Sequence, residues 1–166
     1  MADWCKAHYI DASALVKLVA DDPGEEPGRD AFRKYYWQHA NMYATSYCFA
    51  EALSAFKRKF LRKEITESQY IANIREFIRL SLGTNLCIDE VPILDPKVIG
   101  EAERLIKTYK IDFLDCFQIV TIMHGRFSVL GPNSQSLLIT ADKELADVAL
   151  RERVRVWNCR IEPSPV

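Results

Sequence analysis

Residues 9–18 read YIDASALVKL, and this segment decides how the chain is expected to fold. An apolar run from Ala7 to Ile10 ends at Asp11. Beyond it, apolar residues recur at the spacing of one helix face: Ala14, Leu15, Leu18 and Val19. The segment therefore predicts a strand, a turn and a helix, with Asp11 at the carboxyl end of the first strand. In parallel α/β sheets, ligands bind beyond that end of the strands.

The same alternation of strands and helices continues along the chain. Further strands are predicted at 42–45, 86–91, 137–140 and 154–157. Helices are predicted at 29–39, from about 47, from 66, from 95 to about 109, at 112–124 and at 142–151. This order predicts a three-layer α/β/α sandwich around a mostly parallel central sheet. We expect one domain over residues 1–166, with 161–166 as a frayed tail.

The composition is that of a globular protein without a general affinity for nucleic acid. The hydrophobic fraction is 49%, and the formal charge is −1, from 22 basic and 23 acidic residues. These values exclude a disordered chain and a strongly basic nucleic-acid coat. Any contact with phosphate must therefore come from a local basic patch.

The five cysteines indicate a reducing compartment. They are far apart and form no Cys-x-x-Cys pair, so neither a zinc site nor a disulfide framework is expected. The amino terminus lacks the apolar stretch of a signal peptide, and no run approaches the length needed to cross a bilayer. We therefore expect a cytoplasmic protein without membrane contact.

Four acidic residues are expected at one edge of the sheet. Asp11 follows the first strand, and Asp142 follows the strand at 137–140. Glu51 falls near the start of the third helix, and Asp115 lies in the first turn of the 112–124 helix. Clustered carboxylates repel one another unless a cation lies between them, and Mg²⁺ or Mn²⁺ prefers oxygen ligands. A divalent ion there activates water and stabilises charge on a leaving oxygen, which is the chemistry of phosphodiester hydrolysis.

Each acidic residue also has a purely structural interpretation. Asp11 and Asp142 precede helices and could serve as amino-terminal caps. Glu51 could be an ordinary solvated position on a helix. Asp112 and Asp115 could both serve the amino terminus of one helix, but that helix is apolar nearly all round, so a carboxylate in it needs a partner or a metal. We therefore assign Asp115 to the metal and leave Asp112 as a cap or auxiliary residue.

Two hydroxyl groups are candidates for auxiliary roles. Ser13 lies two residues after Asp11, and Thr140 lies two residues before Asp142. Both are therefore expected at the same edge of the sheet as the carboxylates. There they could orient a carboxylate, a water or a phosphate.

The sequence contains two basic clusters. The denser one includes Arg58, Lys59 and Arg62, which we predict to bind RNA because they lie on the helix that carries Glu51. Charge runs on helices are usually only solvated faces, and that interpretation stays open. The second cluster comprises Arg151, Arg153, Arg155 and Arg160.

Four segments, in this order, resemble the motifs of the PIN-domain family, including the toxin ribonucleases of VapC-type toxin–antitoxin pairs. The segments are YIDASALVKL at 9–18, TSYCFAE at 45–51, DFLDCF at 112–117 and LITADKEL at 138–145. The resemblance implies that the metal ligands are Asp11, Glu51, Asp115 and Asp142, and that Thr140 belongs to the catalytic set. It further implies an endoribonuclease that uses Mg²⁺ or Mn²⁺ and is the toxin of such a pair. The expected partners are RNA, a second copy of the chain in a homodimer, and a small antitoxin protein.

Two other functions remain open at this point. A catalytically degenerate PIN domain would bind RNA or a protein without cleaving anything, although all four acidic positions are intact. A phosphatase of the haloacid-dehalogenase type also uses an aspartate after the first strand, together with Mg²⁺. That chemistry usually needs a second aspartate two residues later, where this chain has Ser13.

Overall fold

The computed structural model describes residues 7–83, 86–129 and 136–165. Within these ranges five strands lie at β1 (His8–Ile10), β2 (Met42–Ala44), β3 (Leu86–Ile88), β4 (Leu137–Thr140) and β5 (Arg155–Asn158). The α-helices of the same ranges are α1 (Ala12–Val16), α2 (Glu26–Gln38), α3 (Ser46–Leu61), α4 (Glu67–Gly83), α5 (Pro96–Tyr109), α6 (Phe113–His124) and α7 (Lys143–Arg151). A short 3-10 turn, Pro23–Glu25, precedes α2.

The five strands form one parallel sheet in the order β3-β2-β1-β4-β5. The central strand is β1, in which His8 is paired with Met42 of β2 on one side and with Leu137 of β4 on the other. Because all the pairings are parallel, the carboxyl ends of the strands lie at one edge of the sheet. The predicted fold class, an α/β/α sandwich around a mostly parallel sheet, is therefore confirmed.

A hydrophobic cluster covers each face of the sheet, because successive strand side chains point to opposite sides. Ile10 and Ile139 belong to the cluster that packs against helices α1–α4. Tyr9 and Leu138 belong to the cluster formed with α5, α6 and α7. Helix α6 is buried continuously over residues 116–122, as its nearly uniform apolar sequence predicts.

The strand predicted at 86–91 ends earlier, at Ile88. The reason is a contact with the start of α3, where the Glu90 carboxylate accepts hydrogen bonds from the Ser46 amide at 2.7 Å and from the Ser46 hydroxyl at 2.8 Å. The chain therefore leaves the sheet before residue 90. Helix α4 begins with a capping box, in which Gln69 N donates to Thr66 Oγ1 and Thr66 N donates to Gln69 Oε1.

The tail predicted to fray from residue 161 is held at its beginning. Glu162 accepts hydrogen bonds from the indole of Trp157 through its carbonyl at 3.2 Å and from Asn158 N through its carboxylate at 3.1 Å. The chain therefore closes a turn after β5 before it leaves the sheet. Part of the loop predicted at 125–136, residues 130–135, lies outside the described residues.

Four of the five cysteines lie within the described residues. Cys48, Cys116 and Cys159 are buried and Cys87 is exposed, all as free thiols, while Cys5 lies outside the described residues. In the described parts of the chain, no helix is long and apolar enough to cross a bilayer.

Candidate active site

Asp11 lies where β1 ends and α1 begins, and it is 5% exposed. Three donors converge on its Oδ2 atom: the Ser13 amide at 3.1 Å, the Ser13 hydroxyl at 2.5 Å and the Thr140 hydroxyl at 3.0 Å. Asp11 is therefore the amino-terminal cap of α1, as one of its two sequence interpretations predicts. The same bonds fix the orientation of its carboxylate at the edge of the sheet.

The two hydroxyls that hold Asp11 also hold the chain after β4. Thr140 Oγ1 accepts a hydrogen bond from the Asp142 amide at 2.9 Å, and Ser13 Oγ accepts one from the Ala141 amide at 2.8 Å. Each hydroxyl thus donates to Asp11 and accepts from the segment that leads into α7. This network sets the distance between Asp11 and Asp142, since both ends of it are backbone or buried groups.

Two further aspartates cap helices at the same edge. Asp142 Oδ1 accepts from the amides of Glu144 and Leu145 at the start of α7, at 2.7 and 3.1 Å. Asp112 Oδ1 accepts from the Asp115 amide at the start of α6, at 3.0 Å. Both residues therefore cap a helix, and both also line the cleft described next.

A cleft of about 410 Å³ lies at this edge of the sheet. The predicted site residues that line it are Asp11, Ser13, Glu51, Arg58, Asp112, Asp115 and Asp142. Thr140 lies behind Asp11, fully buried. Glu51 lies in the second turn of α3, close to the start of the helix, as the sequence predicts. Residues scattered from position 11 to position 142 thus share one cavity.

Burial and neighbouring negative charges both raise pKa values in the cleft. Burial is the largest cause for Asp115, and together with the negative charges of Asp112, Asp11, Asp142 and Glu51 it raises the pKa of Asp115 to about 8. Burial also raises the pKa of Asp11, against the hydrogen bonds from Ser13 and Thr140 that oppose it. The protein without a cation therefore holds a proton at Asp115 at neutral pH.

Glu51 faces the same group of charges from α3. Burial raises its pKa, nearby Asp11 and Asp112 raise it further, and Arg58 lowers it. Arg58 lies two helical turns after Glu51 on the same face. The two guanidinium groups that line the cleft, those of Arg58 and Arg160, do not balance the five predicted carboxylates.

The donor set fits a hard divalent cation, which prefers carboxylate oxygens and relieves repulsion between them. Among residues 7–83, 86–129 and 136–165, no three acidic, histidine or cysteine side chains are gathered closely enough to form a complete metal site by themselves. Mg²⁺ is usually held by one or two carboxylates with waters filling the other positions, and an open cleft leaves room for them. The residues that could hold such an ion are Asp11, Glu51, Asp115 and Asp142.

The three basic residues predicted to bind RNA lie in different surroundings. Arg58 lines the cleft. Lys59 points elsewhere, and its ammonium lies 2.9 Å from Asp22 Oδ1 and 2.9 Å from Glu25 Oε1, largely buried. Arg62 is exposed at the carboxyl end of α3 and does not line the cleft. The charge of Lys59 is neutralised by its ion pairs with Asp22 and Glu25. We therefore do not include Lys59 in the proposed RNA contact.

Two further cations line the cleft. Lys17 is not among the residues predicted to act at the site, and Arg160 is predicted only as a member of the second basic cluster. Lys17 follows α1 and is buried, with its ammonium 2.9 Å from Glu25 Oε2. Arg160 follows β5 and lines the cleft. Both follow elements that the sequence predicts, and Arg160 comes three residues after the predicted end of the last parallel strand, so its position at this edge could have been inferred.

An all-parallel sheet with carboxylates gathered beyond the ends of β1, β2 and β4 defines a class of α/β protein suited to binding a divalent cation and a phosphate ester. Residues 8–150 match the sequence profile of the PIN domain. The chain belongs to the PIN domain family. PIN domains are generally metal-dependent nucleases, and membership of the family supports a nuclease function.

The fold is shared with a solved structure of low sequence identity. The crystal structure of PAE2754 from Pyrobaculum aerophilum superposes with a TM-score of 0.57, over 90% of this chain and 82% of that one, at 17% identity. At this identity the likeness shows the fold alone. No curated protein matches the chain significantly by sequence.

Proposed function

We propose that the chain is an endoribonuclease that hydrolyses RNA phosphodiesters with the help of Mg²⁺ or Mn²⁺. The observation that carries this proposal is the convergence of five carboxylates in one cleft, where the pKa of Asp115 is raised to about 8. Such repulsion favours the binding of a divalent ion, and a nuclease of the PIN family needs one. The preference for RNA over DNA rests on the sequence resemblance to toxin ribonucleases.

The residues of the site divide into three roles. The residues that would hold the cation are Asp11, Glu51, Asp115 and Asp142. When bound, the cation would supply activated water and stabilise negative charge on the leaving oxygen. Ser13 and Thr140 keep the Asp11 carboxylate in one orientation through their hydrogen bonds to Oδ2. Asp112 orders the first turn of α6, and so the backbone of Asp115.

Hydrolysis by these residues is in-line and leaves no covalent bond to the protein. The position of the second aspartate in a haloacid-dehalogenase-type phosphatase is occupied by Ser13, whose hydroxyl donates to Asp11. This contact speaks against the phosphatase alternative, which trapping of a phosphoenzyme would restore.

The decisive experiment compares single-stranded RNA with single-stranded DNA of the same sequence, with Mg²⁺ or Mn²⁺, for the wild type and for Asp115→Asn. We expect metal-dependent cutting of RNA by the wild type and a loss of about 100-fold or more in the variant. Equal cutting by both proteins would assign the activity to a contaminant or to another site. Absence of cutting and presence of RNA binding would favour the degenerate, binding-only PIN domain.

The toxin role and the partners are part of the same proposal. The sequence resemblance to VapC-type toxins supports a homodimer and inhibition by a small antitoxin protein. Light scattering of the purified protein tests the dimer, because a monomeric mass would contradict it. Growth arrest on expression, relieved by co-expression of the protein encoded beside this chain, tests the toxin role.

A further inference from the structure

Three basic side chains line the acidic cleft, and they differ in what they already bind. The ammonium of Lys17 is committed to Glu25, with 2.9 Å to Oε2 and 3.2 Å to the carbonyl oxygen. The guanidinium groups of Arg58 and Arg160 make no hydrogen bond and no ion pair within the described residues. Those two arginines are therefore the cations of the cleft that remain able to bind an anion.

The backbone of Arg160 is held next to the catalytic edge. Its amide donates to Asn158 Oδ1 at 3.2 Å, and the preceding amide, of Cys159, donates to the Thr140 carbonyl at 2.9 Å. On the other side, the Cys159 carbonyl packs against Gly28, where an added Cβ would lie 1.7 Å from the oxygen. The backbone of Arg160 is thus fixed beside Thr140, whose hydroxyl orients Asp11.

The two free arginines reach the cleft from opposite sides of the central strand pair. Arg58 belongs to α3, which follows β2, and Arg160 follows β5. In the sheet, β2 and β5 flank the pair β1–β4, which carries Asp11 and Thr140. Arg160 also lies beyond residue 150, where the match to the family profile ends. It is therefore a feature of this chain and not of the matched family region.

We propose that Arg160 binds a backbone phosphate of the RNA and, with Arg58, holds the strand across the carboxylates. This inference rests on the proposed ribonuclease function. A phosphodiester approaching five carboxylates is repelled, and guanidinium groups bind phosphate through two parallel hydrogen bonds. Such contacts carry no sequence information, so Arg160 is a positioning residue that acts equally on all RNA sequences.

The test measures RNA binding in the non-cleaving background Asp115→Asn, by anisotropy of a short fluorescein-labelled single-stranded RNA at several salt concentrations. Arg160→Gln and Arg160→Lys are compared with Arg75→Gln, an exposed arginine of α4 that does not line the cleft. The slope of log K against log salt is negative, and each lost phosphate contact reduces its magnitude by about 0.7 for single strands. Thermal unfolding confirms that each variant is folded.

We expect Arg160→Gln to lower that slope by about 0.7 and to weaken binding severalfold on RNAs of different sequence. Arg160→Lys should keep most of the slope, and Arg75→Gln should keep all of it. If Arg160→Gln behaves like Arg75→Gln while the background still binds RNA, the inference is wrong and the proposed function stands. If the background shows no salt-dependent RNA binding and the wild type cuts no RNA, both are wrong.

Discussion

The hydroxyl of Thr140 lies 3.0 Å from the carboxylate oxygen Oδ2 of Asp11, so one hydrogen bond joins residues that are 129 positions apart. Because Thr140 ends β4 and Asp11 follows β1, this bond locks the two central strands at the edge where the cleft lies. The same hydroxyl accepts from the Asp142 amide. Thr140 therefore couples two of the proposed metal ligands without lining the cleft itself.

Thr140→Val tests this coupling, because it removes both hydrogen bonds at constant volume. We expect metal affinity and cleavage rate to fall by about 10- to 100-fold, as is usual when a group that orients a ligand is lost. The free energy of unfolding should fall by about 1–3 kcal/mol, since Asp11 stays buried with one donor fewer. Mn²⁺ titration and urea unfolding measure the two effects.

Thr121→Val is the matched control. Thr121 is fully buried in α6, and its Oγ1 has no hydrogen-bond partner within the described residues. Replacing an unsatisfied buried hydroxyl by a methyl group should leave stability unchanged or raise it. Equal effects of the two substitutions would contradict the role given to Thr140.

The charge of Asp115 should make the stability of the metal-free protein fall as the pH rises. Its pKa is about 8 in the folded protein against 3.8 for the unperturbed group, so between these values the folded state binds a proton that the unfolded state has released. The stabilisation is fully present below about pH 4 and is lost as the pH passes 8. Asp115→Asn removes this dependence.

Thermal unfolding in EDTA at pH 5 and at pH 8 measures the effect. Between pH 5 and pH 8 the Tm of the wild type should fall relative to the Tm of Asp115→Asn. The expected difference is about 2–4 °C for each 1 kcal/mol of unfolding free energy that the wild type loses. Asp147→Asn, at an exposed position of α7 outside the cleft, controls for the loss of one negative charge. A Tm difference that does not change with pH would show that Asp115 is not strongly perturbed.

Gly28 is required where α2 meets the end of β5. Its φ is +75°, and a Cβ there would lie 1.7 Å from the Cys159 carbonyl oxygen. We expect Gly28→Ala to lower the free energy of unfolding by about 2 kcal/mol or more, because strain and overlap add. Gly100→Ala in α5, where nothing lies within 4 Å of an added Cβ, should raise it by up to about 1 kcal/mol. Urea unfolding distinguishes the two.

Arg58 and Lys59 are adjacent in sequence and should give opposite results. Lys59→Met leaves the buried Asp22 without its cation, whereas Glu25 keeps its ion pair with Lys17. Unfolding should therefore become easier by about 2–4 kcal/mol, with the salt dependence of RNA binding unchanged. Arg58→Gln should leave stability within about 0.5 kcal/mol and lower the salt slope by about 0.7. A weaker salt dependence of RNA binding in Lys59→Met would show that Lys59 does contact the RNA.

Much of the fold could be predicted because its signals are local. The apolar run ending at Asp11 predicts β1 and the turn after it, and the uniformly apolar stretch after Asp112 predicts the buried helix α6. Proline after a capping aspartate predicts the start of α5 at residue 96. Parallel pairing then follows from the alternation of strands and helices. These features depend on residues within a few positions of one another.

The parts that were not predicted depend on contacts between distant residues. Lys59 looks like its neighbours in sequence, and only the fold brings Asp22, 37 positions away, to its ammonium. The tail after β5 looks disordered by composition, but Glu162 folds back onto Trp157 and Asn158. That turn is also what brings Arg160 to the cleft. Composition and periodicity contain no information on such pairings.

The central claim is that the carboxylates form one site for a divalent cation, and calorimetric titration of Mn²⁺ into metal-free protein at pH 8 tests it most directly. The proteins to compare are the wild type, Asp115→Asn and the charge control Asp147→Asn. We predict saturable binding by the wild type and by Asp147→Asn, and binding weaker by about tenfold or more in Asp115→Asn. Equal Mn²⁺ affinity in all three proteins, or none in the wild type, would contradict the proposed metal site.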